Sequence, residues 1–272
     1  MIHTISSIDV QNVRKKIVLP DKREHWQTDY MGPEASSNEN GGLDDTPIVN
    51  RSPQAALIEK PPGSIVPPHF HCVNQFQVVV DGTGAIGRHA IRSGSVHYSG
   101  AYTGYGPIIA GKSGISYFTL RAQFDFGAYY LPASKAKLKN VEREFVVTDD
   151  IDLLDPNLPS LNHEATLTTL IEPRASGLAG YLARIGGGMT LRIPRSEAAG
   201  GQYWVVMTGG LSLNNRDHPR LSCVYVSADD ETPLMEAGPL GANVIVVQFP
   251  GNPEPYTKIS KVSRESSPSI SE

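Results

Sequence analysis

The chain has 272 residues, enough for one large domain or two small ones with a proper core. Its 28 acidic and 24 basic residues leave a net charge of -4, which gives no basic footprint for a nucleic-acid partner. With 39% hydrophobic and 19% charged residues it is globular rather than disordered.

The start, MIHTISSIDVQNVRKK, lacks the apolar core of a signal peptide, and no apolar run is long enough to span a membrane. A cytoplasmic protein without a membrane partner is the expectation. Residues 1–44 are mostly polar and read as an N-terminal extension, with MGPEASSNENGGLDD (31–45) a long loop by composition.

From residue 54 onward, short runs rich in β-branched and aromatic residues recur between Gly, Pro, Asn and Asp. They are QAALIEK, QFQVVVDG, ISYFTLRAQF, EATLTTLIE, QYWVVMTGG, LSCVYVS and NVIVVQF. The 26 glycines and 21 prolines supply frequent turns, so the chain reads as all-β, a sandwich or barrel. Around PASKAKLKNVERE (132–144) there is a weak helix candidate, its charge run a solvated face. The Ser-rich end, 256–272, reads as a disordered tail. Cys72 and Cys223 do not make a disulfide framework.

The runs repeat. Gln75, Val78, Val79 and Gly82 recur as Gln202, Val205, Val206 and Gly209, and Tyr98 recurs as Tyr225. Ala110, Gly111 and Gly114 recur as Ala237, Gly238 and Gly241, all at one offset of 127 residues. Two copies of one β unit are expected: residues 45–135 and 161–255, joined by a linker at 136–160.

The chemistry concentrates in PPGSIVPPHFHCVNQFQVVVDGTG (61–84). His69 and His71 at i and i+2 point to one face of a strand, where two imidazoles can chelate Fe, Mn, Ni, Cu or Zn. Gln75 has the same parity but would lie roughly 13 Å along a straight strand. It reaches the same place only if CVN (72–74) is a bend, a role that Asn74 suits.

This stretch resembles the first motif of the cupin superfamily: Gly63, His69, His71, Gln75 and Gly82 fill its positions at the family spacing, with Gln75 in place of a glutamate. With the repeat, the chain is similar to a bicupin. The resemblance implies two tandem jelly-roll, double-stranded β-helix barrels, the first metal-binding and the second degenerate. The second motif would fall on GSVHYSGAYTGYGPI (94–108), where Tyr105 occupies the position of the third histidine and His97 is the nearest imidazole.

In the second half the positions of His69, His71, His97 and Tyr105 are Ser196, Ala198, Val224 and Thr232, so nothing there can chelate. Gln202 persists without histidines, which marks Gln75 as a ligand or a framework residue in equal measure. The metal set implied is His69, His71 and Gln75, holding one divalent transition metal, with Fe(II) the first choice.

His97 and Tyr105 are the candidate acid/base residues; Tyr102, Gln77 and Arg121 are candidates for contact with a small-molecule substrate. Tyr102 and Tyr105 lie in a Gly-rich loop where exposed aromatics would line a mouth. Cys72 has opposite parity and reads as a packed thiol.

The implied function is a metal-dependent enzyme, first a dioxygenase-type oxidoreductase. An isomerase, cyclase or decarboxylase that moves protons through His97 or Tyr105 is next. A non-catalytic ligand-binding protein and a metal-free acid/base enzyme are the rivals. A homodimer through barrel edges is the assembly the resemblance suggests.

Overall fold

The computed structural model describes residues 2–19, 21–32, 52–125, 127–148 and 164–251. Most of the 31–45 loop, the end of the 136–160 linker and the 256–272 tail lie outside the described residues.

The first half forms β1 (Ile2–Ile5), β2 (Lys15–Val18), β3 (Glu24–Met31), β4 (Gln54–Lys60), β5 (Ile65–Val66) and β6 (His69–Phe70). It continues with β7 (Gln75–Ile86), β8 (His89–Arg92), β9 (Val96–Ser99), β10 (Ile108–Arg121), β11 (Tyr129–Tyr130) and β12 (Phe145–Val147). The second half forms β13 (Ala165–Ile171), β14 (Ala179–Ile185), β15 (Thr190–Leu191), β16 (Ala199–Leu213), β17 (Arg216–Pro219), β18 (Cys223–Val226) and β19 (Met235–Pro250). All seven runs read as strands fall on strands, and every pairing among them is antiparallel.

One sheet is ordered β12-β9-β7-β10-β4-β3-β2, the other β1-β18-β16-β19-β14-β13. Residues set apart as an extension thus contribute to both sheets, β1 to the second and β2 and β3 to the first. The expected helix at 132–144 is absent: a single 3-10 turn at Lys135–Lys137 ends where Leu138 turns extended. That segment has charges but no apolar stripe to bury, and Pro132 stands at its start.

The repeat is exact in register. Phe76 faces Tyr98 and Phe118 faces Val78 in the first barrel; Tyr203 faces Tyr225 and Ile245 faces Val205 in the second. Gly82 and Gly209 both have left-handed backbones, φ 75 and 65, at the same bulge. A Cβ on Gly209 would stand 2.0 Å from the Gly241 carbonyl oxygen, and one on Gly82 2.3 Å from that of Gly114. Only glycine permits that approach. Gly209→Ala is therefore expected to lower the urea midpoint by the equivalent of at least about 2 kcal/mol; an unchanged midpoint would refute this account of the bulge.

Strand alternation sorts the side chains into three layers. Phe76, Val78, Tyr98, Phe118 and Leu120 pack against Tyr203, Val205, Tyr225, Ile245 and Phe249, cementing the two sheets face to face. The opposite parity points into each barrel. In the second, Trp204, Val206, Val224, Val244 and Val246 fill the interior with apolar bulk. In the first, the same face carries Gln75, Gln77, His97 and Arg121 as a polar group at one end, beside an apolar cluster that includes Val79, Ile86, Ile91, Ile108 and Tyr117. Tyr203 crosses the boundary, sharing its hydroxyl hydrogen between the carbonyls of Gln54 (3.0 Å) and Arg121 (2.9 Å). The second barrel thereby fixes the ends of β4 and β10, which carry site residues.

Candidate metal centre

Residues 72–73 form a bend between β6 and β7, and Asn74 holds it by accepting the Ala101 N–H at 2.9 Å. This reverses the chain so that Gln75 returns beside the histidines, as its parity demanded. The His69 segment is clamped to the 102–105 loop by backbone bonds: His69 N to Tyr105 O (3.0 Å), Tyr105 N to His69 O (2.9 Å) and Tyr102 N to His71 O (2.7 Å). Tyr105 is thus delivered to His69 by main-chain pairing across 36 residues.

Each histidine is anchored through Nδ1. His69 donates to the Pro67 carbonyl (2.8 Å), His71 to the Asp125 carboxylate (2.6 Å) and His97 to the Gln77 amide oxygen (2.8 Å). Since a carbonyl or carboxylate can only accept, Nδ1 carries the proton in all three and Nε2 presents its lone pair. Burial, then the neighbouring His71 charge, pulls His69 down to about 3; burial, then His89, does the same to His97. His71 is also lowered, by burial and against the pull of Asp125. Asp125 is the ionised partner: burial works against its charge, but the Arg121 charge and the hydrogen bonds from His71 and Gly127 hold it below the usual carboxylate range.

The Nε2 atoms meet different neighbours. That of His69 accepts the Tyr105 hydroxyl at 2.9 Å. Tyr105 in turn accepts from the Gln75 amide nitrogen (2.6 Å), and the Gln75 oxygen accepts from Arg121 (2.6 Å). The direction of this chain is fixed, because Arg121 only donates and the Pro67 carbonyl only accepts. Burial raises the Tyr105 hydroxyl well above its ordinary range, so it is a neutral donor. His97 Nε2 is buried with no partner in the structure, while its ring lies 4.7 Å from that of Tyr105 and 4.9 Å from that of Phe145.

Seven of the eight residues singled out in the sequence therefore assemble here: His69, His71, Gln75, Gln77, His97, Tyr105 and Arg121. Tyr102 does not. It is buried against Phe70 and Tyr129 beside Cys72, because the main-chain bond to His71 turns its side chain into that separate cluster. Neither Tyr102 nor Tyr105 is an exposed mouth aromatic; both are buried. Gln77 holds His97 rather than facing open space.

Asp125 was not singled out. Its signal in the sequence is its position four residues after Arg121, and its 3.6 Å approach to the Arg121 Nε and 3.1 Å bond from Gly127 N complete a buried charge pair. Gln54 accepts the Asp125 N–H at 2.8 Å and so holds its backbone.

The repeat explains Gln75. Gln202 and Gln248, which stand where Gln75 and Arg121 do, are also bonded to each other, at 2.8 Å. With no histidine there, Gln202 instead donates to the Pro194 carbonyl, the counterpart of Pro67 (3.0 Å). The glutamine is a framework residue in both barrels, and its carbonyl in the first is taken up by Arg121.

For a metal, the donor chemistry fits at His69, His71 and Tyr105: neutral imidazoles with anchored Nδ1 protons, plus a phenol oxygen beside one of them. It does not fit at Gln75, which offers N–H groups inward. Among the described residues no three His, Cys, Asp or Glu side chains come together to hold an ion. The site is closed. Its least buried members are Arg121 and His71, with side chains 12% and 8% exposed, so approach is from their end.

No family model matches the chain, and no curated protein matches it. Solved structures do. A candidate dioxygenase from Nostoc punctiforme superposes with a TM-score of 0.58 at 10% identity, covering 100% of this chain and 88% of that one. Bacterial pirin from Escherichia coli in complex with nickel(II) gives 0.51 at 12%, covering 93% and 100%. Oxalate decarboxylase from Bacillus subtilis gives 0.54 at 9%, covering 92% and 76%. At these identities the likeness is one of fold, and the fold shared is that of two jelly-roll barrels.

Proposed function

From the bicupin fold as premise, we propose that the N-terminal barrel is the site of a divalent-metal-dependent enzyme acting on a small organic substrate, an oxidoreductase of dioxygenase type. The observation that carries this reading is the set of three buried histidines whose Nδ1 protons are all tied to acceptors, a costly arrangement that a hydrophobic interior would not need. His69, His71 and the Tyr105 hydroxyl would hold the ion, Fe(II) by preference, or Mn, Ni, Cu or Zn. When bound, it would supply Lewis acidity and, if redox-active, one-electron chemistry toward dioxygen.

The chain's own residues do the rest. Arg121, at the accessible end, orients an anionic oxygen of the substrate. His97 Nε2, neutral and unpartnered, offers its lone pair to a hydrogen-bond donor of the substrate. Burial of the histidines keeps bulk water from the reacting atoms. The nickel complex of the E. coli pirin and the candidate dioxygenase from Nostoc punctiforme support the choice of metal class and reaction.

A second reading has its own observation. The chain from Arg121 through Gln75 and Tyr105 occupies the His69 lone pair, which suits a metal-free pocket that binds a ligand or moves a proton. Elemental analysis of untagged protein separates the two. About one ion of a transition metal per chain, with oxygen uptake on a panel of phenols and β-diketones, is expected. Less than about a tenth of an equivalent after reconstitution removes the metalloenzyme and leaves the second reading. Full metal with no oxygen uptake moves the reaction to isomerisation or decarboxylation, for which the panel's products are the readout.

A further inference from the structure

A hydroxyl of the second barrel reaches the first at the level of the histidine site. Tyr203, on β16, is 0% exposed within the apolar layer between the sheets. Its hydroxyl donates to the main-chain carbonyls of Gln54 (3.0 Å) and Arg121 (2.9 Å), which face each other as the last registered pair of β4 and β10. Those two residues hold the cluster through their side chains. Gln54 grips both main-chain polar groups of Asp125, accepting its N–H at 2.8 Å and donating to its carbonyl at 3.4 Å. Arg121 donates to Gln75 at 2.6 Å and lies 3.6 Å from the Asp125 carboxylate. Asp125 then accepts from His71, while Gln75 donates to Tyr105 and Tyr105 to His69. Both branches of the network start at the carbonyl pair that Tyr203 ties down.

The repeat supplies a control inside the chain. Position 203 answers to position 76 at the 127-residue offset, and residue 76 is phenylalanine. Phe76 is equally buried in the same layer and packs edge-on against Phe249, with ring centres 4.9 Å apart. Tyr203 meets the same Phe249 ring edge-on, at 6.1 Å. A plain ring therefore satisfies the packing at this position. A hydroxyl withdrawn from water costs stability unless it is bonded, so packing alone gives no reason for tyrosine. The hydroxyl stands in the repeat whose ring meets the histidine-bearing barrel, and its phenylalanine counterpart offers no such bond to the apolar barrel.

We propose that Tyr203 is a positioning residue for the histidine site, a role that rests on the reading of that cluster as the working centre. Through it the second barrel sets the place of Asp125 and Arg121, and so the anchor of His71. Tyr203 acts through main chain alone, by keeping β4 and β10 from parting where Gln54 and Arg121 sit. Without the hydroxyl, two buried carbonyls lose a donor. The end of the strand pair then opens more often, and each opening frees the His71 Nδ1 proton from Asp125.

The test follows imidazole protons by NMR in the metal-free full chain carrying isotope-labelled histidine. The Nδ1 protons of His71 and His97 are assigned by their loss in His71→Gln and His97→Gln, and their exchange with solvent is measured. His97 is the reference, since it is anchored on Gln77 rather than on Asp125. Tyr203→Phe, which copies Phe76, is expected to keep cooperative unfolding and to raise the His71-to-His97 exchange ratio at least about tenfold. Val205→Ala thins the same apolar layer without touching either carbonyl; it should lower the urea midpoint and leave the ratio within about twofold. An unchanged ratio in Tyr203→Phe overturns the proposal. An equal rise in Val205→Ala does so too, because the hydroxyl would then be one more source of general stability. The readout is a proton of the metal-free protein, so a failure to bind metal counts against the metalloenzyme and leaves this test standing.

Discussion

Replacing His69 and His71 together by alanine is expected to abolish transition-metal binding while leaving the protein folded. Both imidazoles sit on the polar inner face of the first barrel, outside the apolar layer that joins the two sheets. Their loss removes two neutral nitrogen donors, and Gln75 cannot stand in for them, since it turns its carbonyl to Arg121. Metal content measured after reconstitution should fall below about a tenth of an equivalent, and turnover should fall by at least about three orders of magnitude. Near-stoichiometric metal in the double variant would mean that the ion sits elsewhere. The single Gln75→Ala variant is the contrast: it should weaken stability by leaving Arg121 and Tyr105 without their partner, yet retain the ion.

Asp125 carries the second large effect. Its carboxylate is 1% exposed, accepts from His71 at 2.6 Å and from Gly127 at 3.1 Å, and balances the charge of Arg121. Asp125→Ala leaves Arg121 buried without a counter-charge and the His71 Nδ1 proton without an acceptor, a loss of about 3–5 kcal/mol. Asp125→Asn is the informative variant, because its amide oxygen can still accept from His71 while the charge is gone. It should fold, with metal affinity reduced about 10–100-fold in a chelator competition. An Asn variant with unaltered affinity would show that Asp125 balances Arg121 and does nothing for His71.

The framework was readable in the residues because a jelly-roll strand writes its own pattern. A run such as QAALIEK is short and apolar at its centre and stops at Pro61, and β4 ends at Lys60 just before it. The 127-residue offset carried register as well as kinship, because Gly82 and Gly209 are the positions where a Cβ would strike the facing carbonyl. The 132–144 segment misled because charged residues with good helix propensity say nothing when no apolar face exists to dock them.

His69 and His71 were equally plain, since their spacing places two imidazoles on one face whatever the surroundings. Gln75 was half-readable: the bend after Cys72 was legible in Asn74, and its framework role in Gln202.

The sequence by itself determined the all-β class, the two-barrel repeat, the His-x-His pair and the lack of histidines at the matching positions of the second repeat, because each depends on spacing along one strand or on comparison of equivalent positions. Only the tertiary structure decided which side chains meet. It brought Asp125 to His71 across 54 residues and Tyr105 to His69 across 36, turned Tyr102 away, and fixed the tautomers of His69, His71 and His97 through their acceptors. It also placed the Tyr203 hydroxyl against the Gln54 and Arg121 carbonyls, although nothing in its local sequence marks that contact. Hydrogen-bond direction and charge balance are properties of pairs brought together by folding, and a strand's periodicity carries no record of its partner.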